Sequence, residues 1–163
     1  MSDTPLFQTL HHVCVVVRDI EKSVAYYESK GVGPWHDFPS LAAFKDDLQV
    51  PDQDAFLDLT YKYADLGNVQ LQLCRPGKGR SPQRDFLETR GEGVFHLGFT
   101  VPACDAAEDR AADLGLDVLL RGRRPDGSGF TYFDTAGDGN GAGDDADSGA
   151  GVVLQIRSAN PAR

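Results

Sequence analysis

One stretch decides the fold of this chain: Gly93-Val94-Phe95-His96-Leu97-Gly98-Phe99-Thr100-Val101. It is short, apolar and rich in β-branched and aromatic residues, which predicts a buried β-strand. Because side chains alternate along a strand, His96, Gly98 and Thr100 share one face of it. The opposite face is apolar and belongs to the core. The strand therefore presents a single imidazole from a surface of small residues.

The same plan occurs earlier in the chain, in a strand predicted over 10–17 that contains His12. Each strand is followed by a helical segment that ends at a glycine, 19 residues after His12 and 19 residues after His96. Gln72 follows His12 by 60 residues, and Gln155 follows His96 by 59. Two copies of one unit indicate a duplicated module rather than a solenoid. We expect a first module over 1–75, a linker with a short helix over 76–92, and a second module over 93–163.

Local patterns predict the elements of both modules. We expect strands over 10–17, 56–64, 69–74, 94–101, 117–123, 129–134 and 151–157, and helices over 20–30, 82–90 and 104–114. Residues 1–8 are predicted to be a loose arm, and residues 46–54 a surface loop.

Composition limits the possible functions. The 163 residues, 40% of them apolar, suffice for one domain or for two small modules that share a core. No apolar run is long enough for a membrane span, and the N-terminus lacks the pattern of a signal peptide. The net charge of −9 argues against nucleic acid and membrane partners. Three scattered cysteines predict a reducing cytoplasm.

The loop over 135–150 consists almost entirely of Gly, Asp, Ala, Ser and Asn. Asp138-Gly139-Asn140 is similar to the start of a calcium-binding loop, but Gly149 stands where that loop needs a glutamate. The composition favours an acidic insertion that buries too little to order itself.

Four polar residues lie at equivalent positions of the two modules: His12, Gln72, His96 and Gln155. A single histidine on a strand is commonly a hydrogen-bonded core residue, and a single glutamine commonly faces solvent. Recurrence in register in both modules favours a shared function instead. Buried polar groups must be satisfied, and one metal ion would satisfy all four, since imidazole nitrogen and amide oxygen are both metal donors.

The opening segment Leu10-His11-His12-Val13, followed by Arg18-Asp19-Ile20-Glu21-Lys22-Ser23, resembles that of the vicinal oxygen chelate superfamily, which includes glyoxalase I, extradiol dioxygenases and bleomycin-resistance proteins. Gly31-Val32-Gly33-Pro34-Trp35 and Gly91-Glu92-Gly93-Val94-Phe95-His96 are most similar to the methylmalonyl-CoA epimerase-like branch. The resemblance covers residues 10–157.

The resemblance implies an α+β fold in which two tandem βαβββ modules form a half-open mixed β-barrel. It implies a divalent ion (Co, Zn, Mn, Ni or Fe) held by His12, Gln72, His96 and Gln155. The implied activity is that of a metal-dependent epimerase, isomerase or lyase, which stabilises an enolate or oxyanion of a small oxoacid or acyl-CoA thioester. A homodimer is also implied.

One position departs from the resemblance, because Gln155 stands where a glutamate is expected. An amide cannot take a proton near neutral pH, so the base must lie elsewhere. The candidate catalytic residues are Asp52, Asp54, Asp58, Tyr61, Tyr63 and Tyr132, although each tyrosine is also a reasonable core residue. Arg121, Arg123 and Arg124 form a small basic cluster, which is either a binding site for a substrate carboxylate or phosphate or a solvated strand end.

Two other functions remain open. A non-catalytic small-molecule-binding protein of the bleomycin-resistance kind would need no carboxylate at position 155, but it would leave the two histidines and Gln72 unexplained. A secondary-metabolism enzyme that recruited the fold would share all these features. Metal content separates the first of these from a metal-dependent enzyme.

Overall fold

A computed structural model describes residues 5–137 and 149–159. It divides into two compact units, each of which is described separately. The N-terminal unit contains residues 12–42 and 50–95, and the C-terminal unit contains the described parts of 1–11, 43–49 and 96–163. The predicted α+β class is confirmed. The calcium-loop hypothesis at Asp138-Gly139-Asn140 lies outside the described residues.

The described residues form nine strands, four α-helices and one 3₁₀ helix. In chain order they are β1 (Leu10–Val16), α1 (Ile20–Ser29), β2 (His36–Asp37), the 3₁₀ helix (Leu41–Phe44), β3 (Leu48–Gln49), α2 (Gln53–Leu57), β4 (Thr60–Asp65), β5 (Gln70–Arg75), α3 (Pro82–Arg90), β6 (Gly93–Thr100), α4 (Cys104–Asp113), β7 (Val118–Arg123), β8 (Gly129–Phe133) and β9 (Val153–Ser158).

The N-terminal unit has the strand order β2-β4-β5-β1, with β5 and β1 parallel and the other pairs antiparallel. Helix α1 begins at Asp19, whose carboxylate accepts a hydrogen bond from the Lys22 amide at 3.1 Å and so caps the helix. Ile20 of α1 is buried with Val17 and Leu73. Because Leu73 and Gln72 point to opposite faces of β5, α1 covers the face opposite Gln72.

The C-terminal unit has the strand order β6-β9-β8-β7-β3. Strands β6 and β9 are parallel, and the other neighbouring pairs are antiparallel. Helix α4 packs Cys104, Ala107 and Ala111 against Phe133 and Ile156 on one face of this sheet. Small residues on the helix allow its backbone to approach the strands closely. The opposite face of the sheet carries His96 and Gln155.

The N-terminal arm and the segment before β4 differ from the sequence prediction. Leu6 is buried in the core of the C-terminal unit, and the Phe7 ring contacts Phe99 and Phe133 at centroid distances of 5.4 and 6.0 Å, so this part of the arm is not loose. Residues 53–57 form helix α2 rather than the start of a strand, because the Asp52 carboxylate caps it through the Ala55 amide at 3.1 Å.

The segment predicted to be a surface loop also contains a short strand. Leu48 and Gln49 form β3, which pairs with Gly122 and Arg121 of β7. A two-residue strand leaves no periodicity in the sequence, so only the tertiary pairing reveals it. Among the described residues, no helix is both long and apolar enough to span a membrane.

Candidate metal centre

Within the N-terminal unit, His12 and Gln72 lie on one face of two parallel strands. His12 pairs with Gln70 and Cys14 pairs with Gln72 in the β1–β5 register, so the four side chains are neighbours on that face. His12 and Gln72 are each 3% exposed. The alternation predicted from the sequence therefore places both candidate ligands in a buried polar pair.

The Gln72 amide is oriented by a chain of hydrogen bonds. Its Nε2 donates to Gln70 Oε1 at 2.7 Å, and Gln70 Nε2 donates in turn to Asp65 Oδ1 at 3.2 Å. In both hydrogen bonds the donor is the amide nitrogen of a glutamine side chain. The Gln72 oxygen, the atom able to bind a cation, takes no part in this chain.

Within the C-terminal unit, His96 and Gln155 repeat this arrangement on β6 and β9. Gly98 pairs directly with Gln155, and His96 pairs with Val153 one step away on the same face. His96 is fully buried and Gln155 is 5% exposed. Gln155 Oε1 is buried and accepts no hydrogen bond from any described residue. An unsatisfied buried carbonyl is costly, so this oxygen favours a cation or a donor other than those of the described residues.

Burial determines the protonation state of His96. Desolvation lowers the pKa of His96 to about 3, because the imidazolium cation would lose its hydration. The ring is therefore neutral at physiological pH, which is the form that binds metals. The Tyr132 ring packs edge-on against it at a centroid distance of 4.7 Å.

A tyrosine stands beside each candidate glutamine ligand. Tyr63 of β4 pairs with Gln72, and Tyr132 of β8 pairs with Gln155. The internal repeat thus extends from the His and Gln positions to a third residue type. Tyr61 lies one step further along β4, opposite Cys74, and its hydroxyl accepts a hydrogen bond from Gln83 Nε2 at 3.4 Å. All three tyrosines face the same way as the glutamine of their own unit.

The three aspartates proposed from the sequence lie around α2. Asp52 caps the helix, Asp54 lies in its first turn, and Asp58 ends it. The Asp58 carboxylate fills the space beside Gly77, where no Cβ could fit. Asp52 and Asp58 therefore have evident structural roles, whereas the tyrosines lie on β4 and β8, the strands that pair with the two glutamine strands β5 and β9.

Two of the three predicted basic residues lie on the helix-covered face of the C-terminal sheet. Arg123 is 3% exposed and donates to Glu108 Oε2 at 2.7 Å and Asp105 Oδ1 at 3.0 Å, both on α4. Arg121 donates to Glu108 Oε1 at 2.8 Å. The sheet therefore separates these two ion-paired guanidinium groups from the face that carries Gln155.

Arg124 lines one cavity with Arg121, Arg123, Asp46, Asp47 and Asp105, and its guanidinium lies 4.5 Å from the centroid of the Phe44 ring. The Phe44 ring packs edge-on against Phe130, which shares the Gln155 face of the sheet. Arg157 shares that face as well, two residues beyond Gln155 on β9. Burial lowers the pKa of Arg157, and the positive charge of Arg124 lowers it further. Arg157 was not selected from the sequence, because a single arginine on a strand carries no distinguishing pattern.

The cysteines on the ligand face of the N-terminal unit are protonated thiols. Burial raises the pKa of Cys74 to about 12 and that of Cys14 well above its ordinary value. Both are free, as is Cys104. They behave as packing residues rather than as thiolate ligands or nucleophiles.

The geometry can now be compared with known proteins. A family model described as the glyoxalase/bleomycin resistance protein/dioxygenase superfamily matches residues 11–133, well over half of the chain. This chain belongs to that superfamily. No curated protein matches it.

Solved structures share the fold of this superfamily member at low sequence identity. The methylmalonyl-CoA epimerase of Mycobacterium tuberculosis is 20% identical with a TM-score of 0.68, over 99% of this chain and 95% of the other. A variant of the Streptomyces coelicolor methylmalonyl-CoA epimerase bound to 2-nitronate-propionyl-CoA is 20% identical with a TM-score of 0.65, over 94% and 95%. A hypothetical protein of Bacillus halodurans is 15% identical with a TM-score of 0.62, over 92% and 93%. At such identities the likeness shows the fold.

Members of the superfamily usually bind a divalent metal, and the candidate donors of this chain fit one in part. The described residues contain no cluster of three or more His, Cys, Asp or Glu that could hold an ion. Two of the four candidates are glutamines, so the set has hard amide oxygens and neutral imidazoles but no carboxylate. The unsatisfied Gln155 oxygen and the neutral His96 ring are the features that suit a cation.

Proposed function

We propose that this chain is a metal-dependent isomerase, epimerase or lyase that acts on a small oxoacid or an acyl-CoA thioester. Its ligands would be His12, Gln72, His96 and Gln155. The observation that carries the proposal is the buried Gln155 oxygen, which accepts no hydrogen bond from any described residue. The repetition of a buried His and Gln on paired strands in both units supports it.

A bound divalent ion would supply Lewis-acid catalysis by polarising a substrate oxygen. The side chains then determine the charge of the site. Two imidazoles and two amides are neutral donors, so they leave the full double charge for the substrate to balance. We therefore propose an anionic substrate, for which an oxoacid or an acyl-CoA carboxylate qualifies. Membership of the superfamily supports this class, and the epimerases that share the fold have acyl-CoA ligands in their structures.

Tyr132 is our candidate for proton transfer. It is 4% exposed, pairs with Gln155 across β8 and β9, and packs against the His96 ring. A phenol hydroxyl in that position can donate a proton to, or accept one from, a substrate atom next to the ligand face. Tyr63 holds the equivalent position beside Gln72. Tyr132→Phe should retain the metal content of the wild type and lose at least about tenfold in turnover.

A binding function without catalysis is the second candidate. The amide at position 155 favours it, because an epimerase or glyoxalase mechanism gains a negative charge and a proton acceptor from a carboxylate there. Aromatic rings close to the ligand strands of the N-terminal unit also suit a ligand cleft: Phe38 packs on Tyr61 and Tyr63 at 5.4 and 5.9 Å.

Metal content decides between the two. The protein should be purified without added metal or chelator and measured by elemental analysis, together with His96→Ala. His36→Ala is the matched control, because His36 is exposed on β2 and is not a proposed ligand. We expect about one ion per chain in the wild type and control, and a loss in His96→Ala. If no ion is found even after soaking in zinc, cobalt, manganese, nickel and ferrous iron, the metal-dependent function is wrong.

We also propose that the protein acts in the cytoplasm, as the scattered cysteines predict, and that it assembles as a homodimer, as the resemblance implies. The free, buried cysteines agree with a reducing compartment. Light scattering coupled to size-exclusion chromatography should give twice the chain mass of 17.6 kDa. A mass equal to one chain across the micromolar range would contradict the dimer.

A further inference from the structure

Arg157 is a cation that the proposed function does not use. It lies on β9 of the C-terminal unit, opposite Phe130 of β8 and Thr100 of β6, on the face that also carries Gln155. Its side chain is half-buried, yet no carboxylate of the described residues forms an ion pair with it. A half-buried guanidinium without a counter-charge is costly, so the position favours a bound anion.

A second guanidinium stands next to the same aromatic pair. Arg124 lies 4.5 Å from the centroid of the Phe44 ring, and the Phe44 and Phe130 rings are 4.9 Å apart. Arg124 donates a hydrogen bond to Ser128 Oγ at 3.3 Å. The Ser128 hydroxyl donates in turn to Asp126 Oδ1, and Asp126 forms no direct ion pair with Arg124. Arg124 contacts Phe44 and Arg157 is the strand partner of Phe130, so both arginines, which belong to the C-terminal unit, adjoin this aromatic pair.

The two arginines of β7, unlike Arg157, are paired with carboxylates of α4. Arg121 and Arg123 point to the α4 face, where Glu108 and Asp105 neutralise them at 2.7–3.3 Å. Among the described residues, carboxylates therefore pair with the guanidinium groups on one face of the sheet, and none pairs with Arg157 on the other.

We infer that Arg124 and Arg157 form a subsite for an oxyanion, a carboxylate or a phosphate group, on the Gln155 face of the C-terminal unit. The inference rests on the proposed function in one respect, since it assigns this anion to the substrate of the same site. Arg157 follows Gln155 by two residues along a strand, a separation of about 7 Å. That distance suits a short acid whose reacting oxygen is near Gln155 and whose second charged group reaches Arg157. Planar guanidinium groups bind both kinds of oxyanion through paired N–H donors.

The test is anion binding followed by thermal unfolding. Malonate and inorganic phosphate are titrated separately at constant ionic strength, with chloride as the reference, into wild type, Arg157→Gln and Arg124→Gln. Arg110→Gln is the matched control, because Arg110 is an exposed arginine of α4 and its loss changes the net charge equally. The series is repeated after treatment with chelator, so that an anion bound through a metal ion is recognised.

We expect malonate or phosphate to raise the unfolding midpoint of the wild type and of Arg110→Gln, and to bind Arg157→Gln and Arg124→Gln roughly tenfold more weakly. A response to malonate alone identifies a substrate carboxylate, and a response to phosphate alone identifies a phosphate group. Wild-type affinity in Arg157→Gln, or no response beyond that of chloride, would overturn the inference. If Arg157→Gln does not fold, Arg157→Lys takes its place, and wild-type affinity in both this variant and Arg124→Gln would overturn it.

The metal measurement keeps the two proposals separate. Arg157→Gln should retain the metal content of the wild type, because Arg157 is not a ligand. If the protein holds no metal but binds an anion in a way that depends on Arg157, the subsite is supported and the metal-dependent function is wrong. If the protein binds metal but neither malonate nor phosphate, the metal-dependent function is supported and the subsite is wrong.

Discussion

At the scale of single residues, position 155 sets the charge of the candidate metal centre. Gln155 contributes a buried amide oxygen without a hydrogen-bond donor among the described residues, whereas a carboxylate there would bring a negative charge. The side chains of glutamine and glutamate are nearly equal in size, so charge is the main difference between them.

Gln155→Glu should therefore bind a divalent ion more tightly than the wild type, by a factor on the order of tenfold. The measurement is competitive metal titration against a chromophoric chelator. Gln49→Glu adds the same charge at an exposed position of β3 and should leave the affinity unchanged. Equal affinities in Gln155→Glu and the wild type would show that this oxygen does not bind the ion.

At the scale of elements, the pairing of β3 with β7 depends on one glycine. A Cβ at Gly122 would lie 2.8 Å from Phe130 Cζ and 3.3 Å from Leu48 Cδ1, inside normal contact distance. The Phe130 ring and the Leu48 side chain lie over this glycine, and Phe130 in turn packs on Phe44 and Tyr132. The missing side chain thus makes room for an aromatic cluster on the Gln155 face.

Gly122→Ala should lower the free energy of unfolding by about 1–3 kcal/mol, because Phe130 must move to admit the methyl group. Urea denaturation followed by fluorescence measures this change. Gly93→Ala is the control, since a Cβ at Gly93 meets no atom within 4 Å. A loss of stability in Gly93→Ala as large as that in Gly122→Ala would show that steric exclusion at Gly122 is not the cause.

The edge strand β2 is held to β4 by a cross-strand ion pair. Lys62 Nζ donates to Asp37 Oδ1 at 2.6 Å, and the two residues are direct partners in the sheet register. This hydrogen bond lowers the pKa of Asp37 and raises that of Lys62. The depressed pKa of Asp37 means that its contribution to stability is present above the ordinary value of 3.8 and is lost as pH falls through the lowered value.

Asp37→Asn should accordingly be less stable than the wild type at pH 7, and the difference should shrink as pH falls below 3.8. Urea denaturation of both proteins at a series of pH values gives the comparison. Asp109→Asn, at an exposed position of α4, controls for the loss of one carboxylate. A difference between Asp37→Asn and the wild type that persists unchanged in acid would contradict the ion-pair account.

At the scale of the whole molecule, metal binding should be visible as added stability. A ligand that binds only the folded state, at a free concentration of 100 Kd, contributes about 2.7 kcal/mol. For a chain of this length that corresponds to a rise in the unfolding midpoint of roughly 5–10 °C.

Calorimetry of the metal-loaded and chelator-treated protein measures this rise. His36→Ala should show the same difference as the wild type, and His96→Ala should show none. A midpoint that is insensitive to metal in the wild type would contradict folded-state binding at the proposed ligands.

The sequence by itself determined the secondary elements that have strong periodicity or clear caps. Helix 82–90, with Ser81 before it and Pro82 at its start, was predicted with the boundaries that it has. The superfamily was recognised from the resemblance of the segments 10–13, 18–23, 31–35 and 91–96, and that resemblance implied the α+β class; both are confirmed. Alternation along β5 and β9 was enough to place each glutamine on the face opposite the core, because the side-chain period of a strand is fixed by its backbone.

Only the tertiary structure decided which charges and short elements belong together. Strand β3 and helix α2 have two and five residues, too few for a periodic signal. They form because Leu48 pairs with Gly122 of β7 and Asp52 caps the helix. The sequence grouped Arg121, Arg123 and Arg124 as one basic cluster. The fold pairs the first two with Glu108 on the α4 face. Arg124 lies over Phe44, whose ring packs on Phe130, the strand partner of Arg157, because a sheet joins residues that lie on different strands.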